Sequence, residues 1–133
     1  MSVKRASVKF AKVNPHAPLI VLTAKVNGRG RFRFLLDTGA SHSCVTPHVV
    51  QKLELGDHGK ADALGAGGEM SLALTKIESL AVGSAEVRNL TVAIVDVSHV
   101  TKLTKRLDGV VGNDFMRKFK VTIDYKRSRV SFE

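Results

Sequence analysis

The residues best suited to chemistry sit in one short stretch, Phe34-Leu35-Leu36-Asp37-Thr38-Gly39-Ala40-Ser41. An apolar run delivers a carboxylate into a Thr-Gly turn, so Asp37 stands at the buried end of an element, where a charge is costly unless it is partnered. Gly39 lets the backbone approach closely, and the Thr38 hydroxyl can brace the turn. A carboxylate held this way is suited to general acid or base work. A given tripeptide arises by chance in about one or two percent of chains this long, so Asp-Thr-Gly alone also fits a plain strand-ending turn. About 70 residues later comes Leu107-Asp108-Gly109-Val110-Val111-Gly112-Asn113-Asp114-Phe115, where Val110 and Val111 run straight into Gly112 at a strand-to-helix junction. Between the two stretches, Asp57 to Gly68 carries Gly59, Gly65, Gly67 and Gly68 and reads as a loop or hairpin tip.

Other chemistries have weaker support. Cys44 could pair with His42, His48 or His58 as a thiol and imidazole, but within Ser43-Cys44-Val45 it suits a buried small hydrophobe on a strand. The five histidines lack the paired spacing of a zinc site, and one cysteine makes neither an internal disulfide nor a cysteine-rich site. Gly65-Ala66-Gly67-Gly68 is followed by no Lys-Ser/Thr and opens no helix, which removes a phosphate loop. Asp108 reads as a turn residue. His42 is either a surface histidine or a group that tunes Asp37. The sequence calls for no metal and no cofactor.

Positioning Asp37 needs a frame of short strands. Leu19 to Val26 and Arg31 to Leu36 form the clearest hairpin, joined by Asn27-Gly28-Arg29-Gly30, with Phe32 and Phe34 alternating against Arg31 and Arg33. Val8 and Phe10 mark an earlier strand ending before Pro15 and Pro18. A short helix follows from Pro47 to Leu53, with Thr46 as cap and Pro47 at the first helical position. Further strands are expected at Met70 to Leu74, Ile77 to Val82, Val87 to Val97 and Val110-Val111. A second short helix spans Asp114 to Phe119, capped by Asn113 or Asp114. Val121 to Tyr125 and Arg129 to Phe132 make a terminal hairpin turning at Lys126-Arg127-Ser128. Many short strands with two short helices argue an all-β, barrel-like architecture.

At 133 residues the chain suits a single domain over 1–133, able to bury a core without a staple. No apolar run approaches the roughly 18 residues that span a bilayer, and no apolar stretch follows the basic start as in a cleavable signal. The net charge is +9, unevenly spread. Eight basic residues and no acid precede Asp37, eight acids face four bases from Asp37 to Asp96, and the remainder is basic again. That polarity points to an acidic partner or a membrane face. With no Trp, one Tyr and no interleaving of basic and aromatic residues, it offers no stacking platform and no specific nucleic-acid site.

The stretch around Asp37, the Gly-rich tip and the Val-Val-Gly stretch, in that order, resemble the retropepsin-type, single-lobe aspartic proteases. The resemblance runs from about Leu19 to Phe132. Val45-Thr46-Pro47-His48-Val49-Val50-Gln51-Lys52-Leu53 and Gly112-Asn113-Asp114-Phe115-Met116 look especially like bacterial members. It implies an aspartic endopeptidase with a polypeptide substrate, in which two carboxylates sharing a proton activate water. Only one Asp-Thr-Gly is present, so the resemblance implies a homodimer pairing two copies of Asp37. It further implies that Thr38 braces the dyad, that Gly39, Ala40 and Ser41 support the catalytic loop, and that Leu64, Gly65, Ala66, Gly67 and Gly68 form a flap. Val110, Val111 and Gly112 would pack beneath the loop. Relatives join their subunits largely through the terminal strands, which would bring the like charges of Lys4, Arg5, Lys9, Arg127 and Arg129 near the two-fold axis. Ser41 and Asn113 stand where retroviral relatives carry an acid and an Arg, so one dimer contact is lost. The alternative is a non-catalytic dimerisation or peptide-binding module of the same fold. Bacterial cytoplasm and periplasm both stay open.

Overall fold

The computed structural model describes residues 6–12, 19–65, 68–97 and 106–133. In chain order these form β1 (Ala6–Lys9), β2 (Ala11–Lys12), β3 (Ile20–Val26), β4 (Arg29–Leu36), β5 (Cys44–Val45), α1 (Pro47–Leu53), β6 (Lys60–Gly65), β7 (Gly68–Val82), β8 (Ala85–Ile94), β9 (Gly109–Val111), α2 (Asn113–Met116), β10 (Val121–Asp124) and β11 (Arg129–Phe132). The all-β expectation holds.

One sheet runs β2-β3-β4-β9-β5-β8-β7-β6, and an added β3–β7 pairing closes β3, β4, β9, β5, β8 and β7 into a six-stranded barrel. Closure leaves those strands few free edges. Side chains alternate across the wall: Leu22, Ala24 and Val26 of β3 and Phe32, Phe34 and Leu36 of β4 are buried inside, while Thr23, Lys25 and Arg31 are exposed. A three-stranded sheet, β1-β11-β10, packs on the barrel through Phe132, whose ring stacks edge-on against Phe115 of α2 at 5.7 Å. The terminal strands thus pair within their own chain. Arg129 donates to the Ser7 hydroxyl at 2.9 Å and Arg127 to Asp124 at 3.2 Å, so both arginines have local partners.

Several boundaries differ from those the sequence implies. The first hairpin turns on Asn27-Gly28 alone, with φ of 54° and 72°, so β4 begins at Arg29. Two successive residues of positive φ match the twist of a tight hairpin, and Asn-Gly is the pair that tolerates them. Lys60 to Gly65 is a strand rather than loop, although it lacks β-branched residues. Its pairing with β7 from Lys60↔Ala73 to Gly65↔Gly68 supplies what propensity does not. The runs 70–74 and 77–82 fuse into the 15-residue β7, because Thr75 is buried with its hydroxyl on the Gly56 carbonyl at 2.7 Å. β8 stops at Ile94, short of Val97. α1 matches its expected span, yet Thr46 makes no side-chain cap bond. α2 is one turn, with Gly112 at the N-cap position in place of Asn113 or Asp114.

Candidate active site

Asp37 follows β4 directly, and its position is set by β9. The two strands run parallel, Phe34↔Gly109, Leu35↔Val110 and Leu36↔Val111, and Asp37 N–H extends the ladder by donating to the Val111 carbonyl at 3.1 Å. Val110 and Val111 are buried beneath the loop. A side chain at Gly109 would collide with the Cys44 carbonyl and the Phe34 ring, which accounts for a glycine in a strand.

The turn then closes on itself. Gly39 N–H donates to Asp37 Oδ1 at 2.9 Å and Ala40 N–H to the Asp37 carbonyl at 3.2 Å, a carboxylate-braced turn. A Cβ on Gly39 would lie 3.3 Å from that same Oδ1. The Asp37 side chain is neither buried nor paired with a cation, and its other oxygen accepts no bond within the described residues. Thr38 and Ser41 are exposed. The Thr38 hydroxyl makes no bond within the described residues, whereas its carbonyl accepts from Asn113 Nδ2 at 3.2 Å. Bracing of the turn thus comes from Asn113 and from the Gly39 and Ala40 amides, and the Thr38 hydroxyl is left facing outward.

From the other side the loop is clamped by the start of α2. Asn113 N–H donates to the Ala40 carbonyl at 2.8 Å. Gly112 N–H donates to Ser43 Oγ at 3.0 Å, and that hydroxyl donates to Asp114 Oδ1 at 2.6 Å. The same carboxylate oxygen also receives Ser43 N–H and Phe115 N–H, both at 2.9 Å. A Cβ on Gly112 would come within 2.7 Å of the His42 backbone and 2.9 Å of the Ala40 carbonyl, so no other residue fits between loop and helix. Ser43 and Asp114 are the members of this site that reading the sequence missed. Their signal was faint: Ser43 precedes a two-residue strand, and Asp114 reads as an ordinary helix cap.

The hairpin β6–β7 carries Leu64, Gly65 and Gly68 around its tip, while Ala66 and Gly67 lie outside the described residues. Gly68 has φ +106°, a backbone state that side chains disfavour. The body of this hairpin reaches the loop after Asp37. Ala61, Asp62, Leu72 and Leu74 join His42 and, from β8, Thr91 and Ala93 around a cavity of about 290 Å³. A second cleft of about 230 Å³ holds Asp37 and Thr38 with Leu19, Ile20, Leu35, Leu36, Ile123 and Tyr125. Tyr125 is 53% exposed, the one large hydrophobic residue among those described to be so open.

The remaining candidates fall away from this centre. His42 Nδ1 lies 3.1 Å from Ser41 Oγ, exposed, so its near neighbour is the serine. Asp108 sits at the far end of β9, accepting Arg33 N–H at 2.9 Å, and gives Asp37 no second carboxylate. Cys44 is buried, and loss of solvent pushes its thiol up to about 11; the Val110 backbone bond lowers it and the charge of Asp114 adds to the rise. It is a packing residue, not a thiolate. His48 accepts contact from Arg106 at 3.0 Å instead.

Comparison with known proteins agrees with this geometry. The fold is similar to a retropepsin-like aspartic protease from Rickettsia conorii, with a TM-score of 0.64 and 21% identity over 99% of this chain and 94% of that one. It is also similar to the EIAV protease complexed with the inhibitor HBY-793, with a TM-score of 0.51 and 19% identity over 74% of this chain and 85% of that one. No curated protein matches the sequence. Among the described residues no helix is long and apolar enough to cross a membrane. Residues 22–115, which hold β4, the Asp37 turn, the β6–β7 hairpin and β9, match the family described as aspartyl protease, and the chain belongs to that family.

Proposed function

We propose that this chain is an aspartic endopeptidase whose active site forms when two copies bring their Asp37 carboxylates together. The observation that carries the reading is the state of Asp37: held by one amide on one oxygen, open on the other, with no second carboxylate beside it among the described residues. An amide carbonyl is a weak electrophile, so hydrolysis without a covalent nucleophile needs a base to activate water and an acid to protonate the carbonyl oxygen. Two adjacent carboxylates cannot both ionise and so share one proton, which supplies both roles. The dyad of the aspartic proteases is the known instance of such coupled acids. The ionised Asp37 takes a proton from water; its protonated counterpart donates to the carbonyl oxygen. A tetrahedral diol results; as its C–N bond breaks, the carboxyl that took the water's proton passes it to the leaving amine, and a diol hydroxyl gives its proton back to the other carboxylate.

The exposed Thr38 hydroxyl is free to bond the second copy below the dyad. An extended polypeptide would lie between the loop and the β6–β7 hairpin, held through backbone hydrogen bonds, with one side chain in the cavity beside His42. The hairpin acts as the flap that closes over it.

Dilution tests the reading. Specific activity on denatured casein should fall as the chain is diluted through its dissociation constant, in step with loss of dimer by sedimentation. Mixing with about a tenfold excess of Asp37→Asn should cut the activity of the wild-type chain about tenfold, because nearly every wild-type copy is then paired with an inert one. A monomer with constant specific activity at every concentration would overturn the shared dyad.

A further inference from the structure

Peptide hydrolysis leaves one property of the chain unused, the segregation of its charge. Eight basic residues and no acid precede Asp37. The fold gathers several of them on one wall. On β4, burial of Phe32, Phe34 and Leu36 turns Arg31 and Arg33 outward; on β3, burial of Leu22, Ala24 and Val26 turns Thr23 and Lys25 outward. The register Thr23↔Arg33 sets the two rows side by side, and exposed Arg29 follows the turn. Arg33 donates to the Arg106 carbonyl at 3.4 Å, which brings the exposed Arg106 alongside. Lys9 and Lys25 border a cavity of about 300 Å³ on the same flank. The acid within the patch, Asp108, is buried, with one oxygen on Arg33 N–H and the other 3.8 Å from Arg106 Nε. Glu78, at the Asn27 turn, marks the border.

We propose that this outer face of β3 and β4, continued by Arg106, docks the protein on an anionic lipid surface. The chemistry of the face selects that partner. Its stretch from Arg29 to Arg33 carries no exposed aromatic ring, Tyr125 meeting the wall only at its Leu35 end, so single-stranded nucleic acid would find nothing to stack on beside the cations. It offers neither an apolar anchor of the kind that dominates protein interfaces nor a helix to enter a duplex groove. A spread of cations on a strand wall matches headgroups that diffuse to meet them. In the ring of barrel strands β8 stands opposite β4, so the cavity beside His42, which β8 lines, is across the barrel from the docked wall, while the cleft that holds Asp37 opens at the Leu35 end of β4.

The test is co-sedimentation of the chain with vesicles of phosphatidylcholine alone or mixed with phosphatidylserine. Binding should require phosphatidylserine and be lost at about 0.5 M salt, where screening shortens well below 10 Å. The triple variant Lys25→Gln, Arg29→Gln, Arg31→Gln should bind roughly a hundredfold more weakly. Arg117→Gln, Lys118→Gln, Lys120→Gln, which removes the same charge from exposed positions after α2, should bind nearly as wild type. Equal loss in both variants would show only net charge at work and overturn the docking face. Failure to bind the vesicles, or tighter binding of poly-uridylate or poly-glutamate than of vesicles, would overturn it too.

Discussion

Two aspartates lie in consecutive stretches of the same site and differ in almost every respect. Asp114 is buried, and one of its oxygens accepts three donors, from Ser43 N–H, Ser43 Oγ and Phe115 N–H. Asp37 is partly open and accepts one, from Gly39 N–H. Three donors on Oδ1 fix the Asp114 carboxylate in the interior, where its Oδ2 is closed in without a partner, whereas the spare lone pairs of Asp37 face a cleft and can hold water or a proton. The site is therefore built in two tiers, an inner carboxylate that ties loop to helix and an outer one open to the cleft.

Exchanging each acid should separate the tiers. Asp37→Asn keeps volume and the bond to Gly39 but removes the group that must ionise. It should lower the peptidase rate by a thousandfold or more while leaving the thermal midpoint within a few degrees of wild type. Retained activity in purified Asp37→Asn would remove the assignment. Asp114→Ala should do the reverse. It strands the Ser43 and Phe115 donors in the interior, at a cost of about 2–4 kcal/mol, and lowers the thermal midpoint by roughly 10 °C. Calorimetry on both variants, beside a casein assay, checks the pair of outcomes. If Asp114→Ala melts like wild type, the inner tier carries no structural weight.

The two tiers were not equally legible in the sequence. Asp37 announced itself because an apolar strand ending in Asp-Thr-Gly is an uncommon local pattern, and Val110-Val111-Gly112 placed its support. The parallel pairing of β4 with β9 joins residues more than 70 positions apart, and no local pattern encodes it. Ser43 and Asp114 stayed hidden for the same reason, since their bond spans 71 residues and each looks ordinary in its own stretch. The strand at Lys60 to Gly65 was missed because its residues have poor strand propensity and owe their conformation to β7. Alternation, by contrast, located β3 and β4 almost to the residue.

The hairpin offers a milder contrast with the clamped loop. A Cβ at Gly112 would strike backbone, whereas one at Gly68 would meet nothing within 4 Å. The constraint at Gly68 is its φ of +106° alone. Gly68→Val should therefore distort the tip and lower the cleavage rate by roughly tenfold, with a change in stability of about 1–2 kcal/mol. Gly112→Val, forced against the His42 and Ala40 backbone, should unfold the chain or destabilise it by about 3 kcal/mol or more. Thermal melts and peptide assays on both decide the matter, and equal losses of folding in the two variants would make the hairpin as structural as the loop.

At neutral pH the electrostatic effect is smallest at Cys44, which feels the inner carboxylate and not the outer one. Burial, and after it the charge of Asp114, raises the thiol from 9.0 to about 11. An acid whose folded value lies above its unfolded value favours folding while it is protonated in both states. In the unfolded chain the thiol begins to ionise near pH 9 and gains free energy that the folded chain does not share. The contribution is thus complete below pH 9 and is lost as pH rises from about 9 to 11, amounting to about 2–3 kcal/mol at the upper end. A difference between two variants cancels what the rest of the chain contributes, so that difference is the informative quantity. Cys44→Ala should be less stable than wild type at neutral pH through lost packing, and that gap should close or reverse toward pH 11. Urea titrations of both chains between pH 7 and 11 measure it. Two stability curves that fall in parallel would show that the thiol ionises as readily in the folded barrel as outside it.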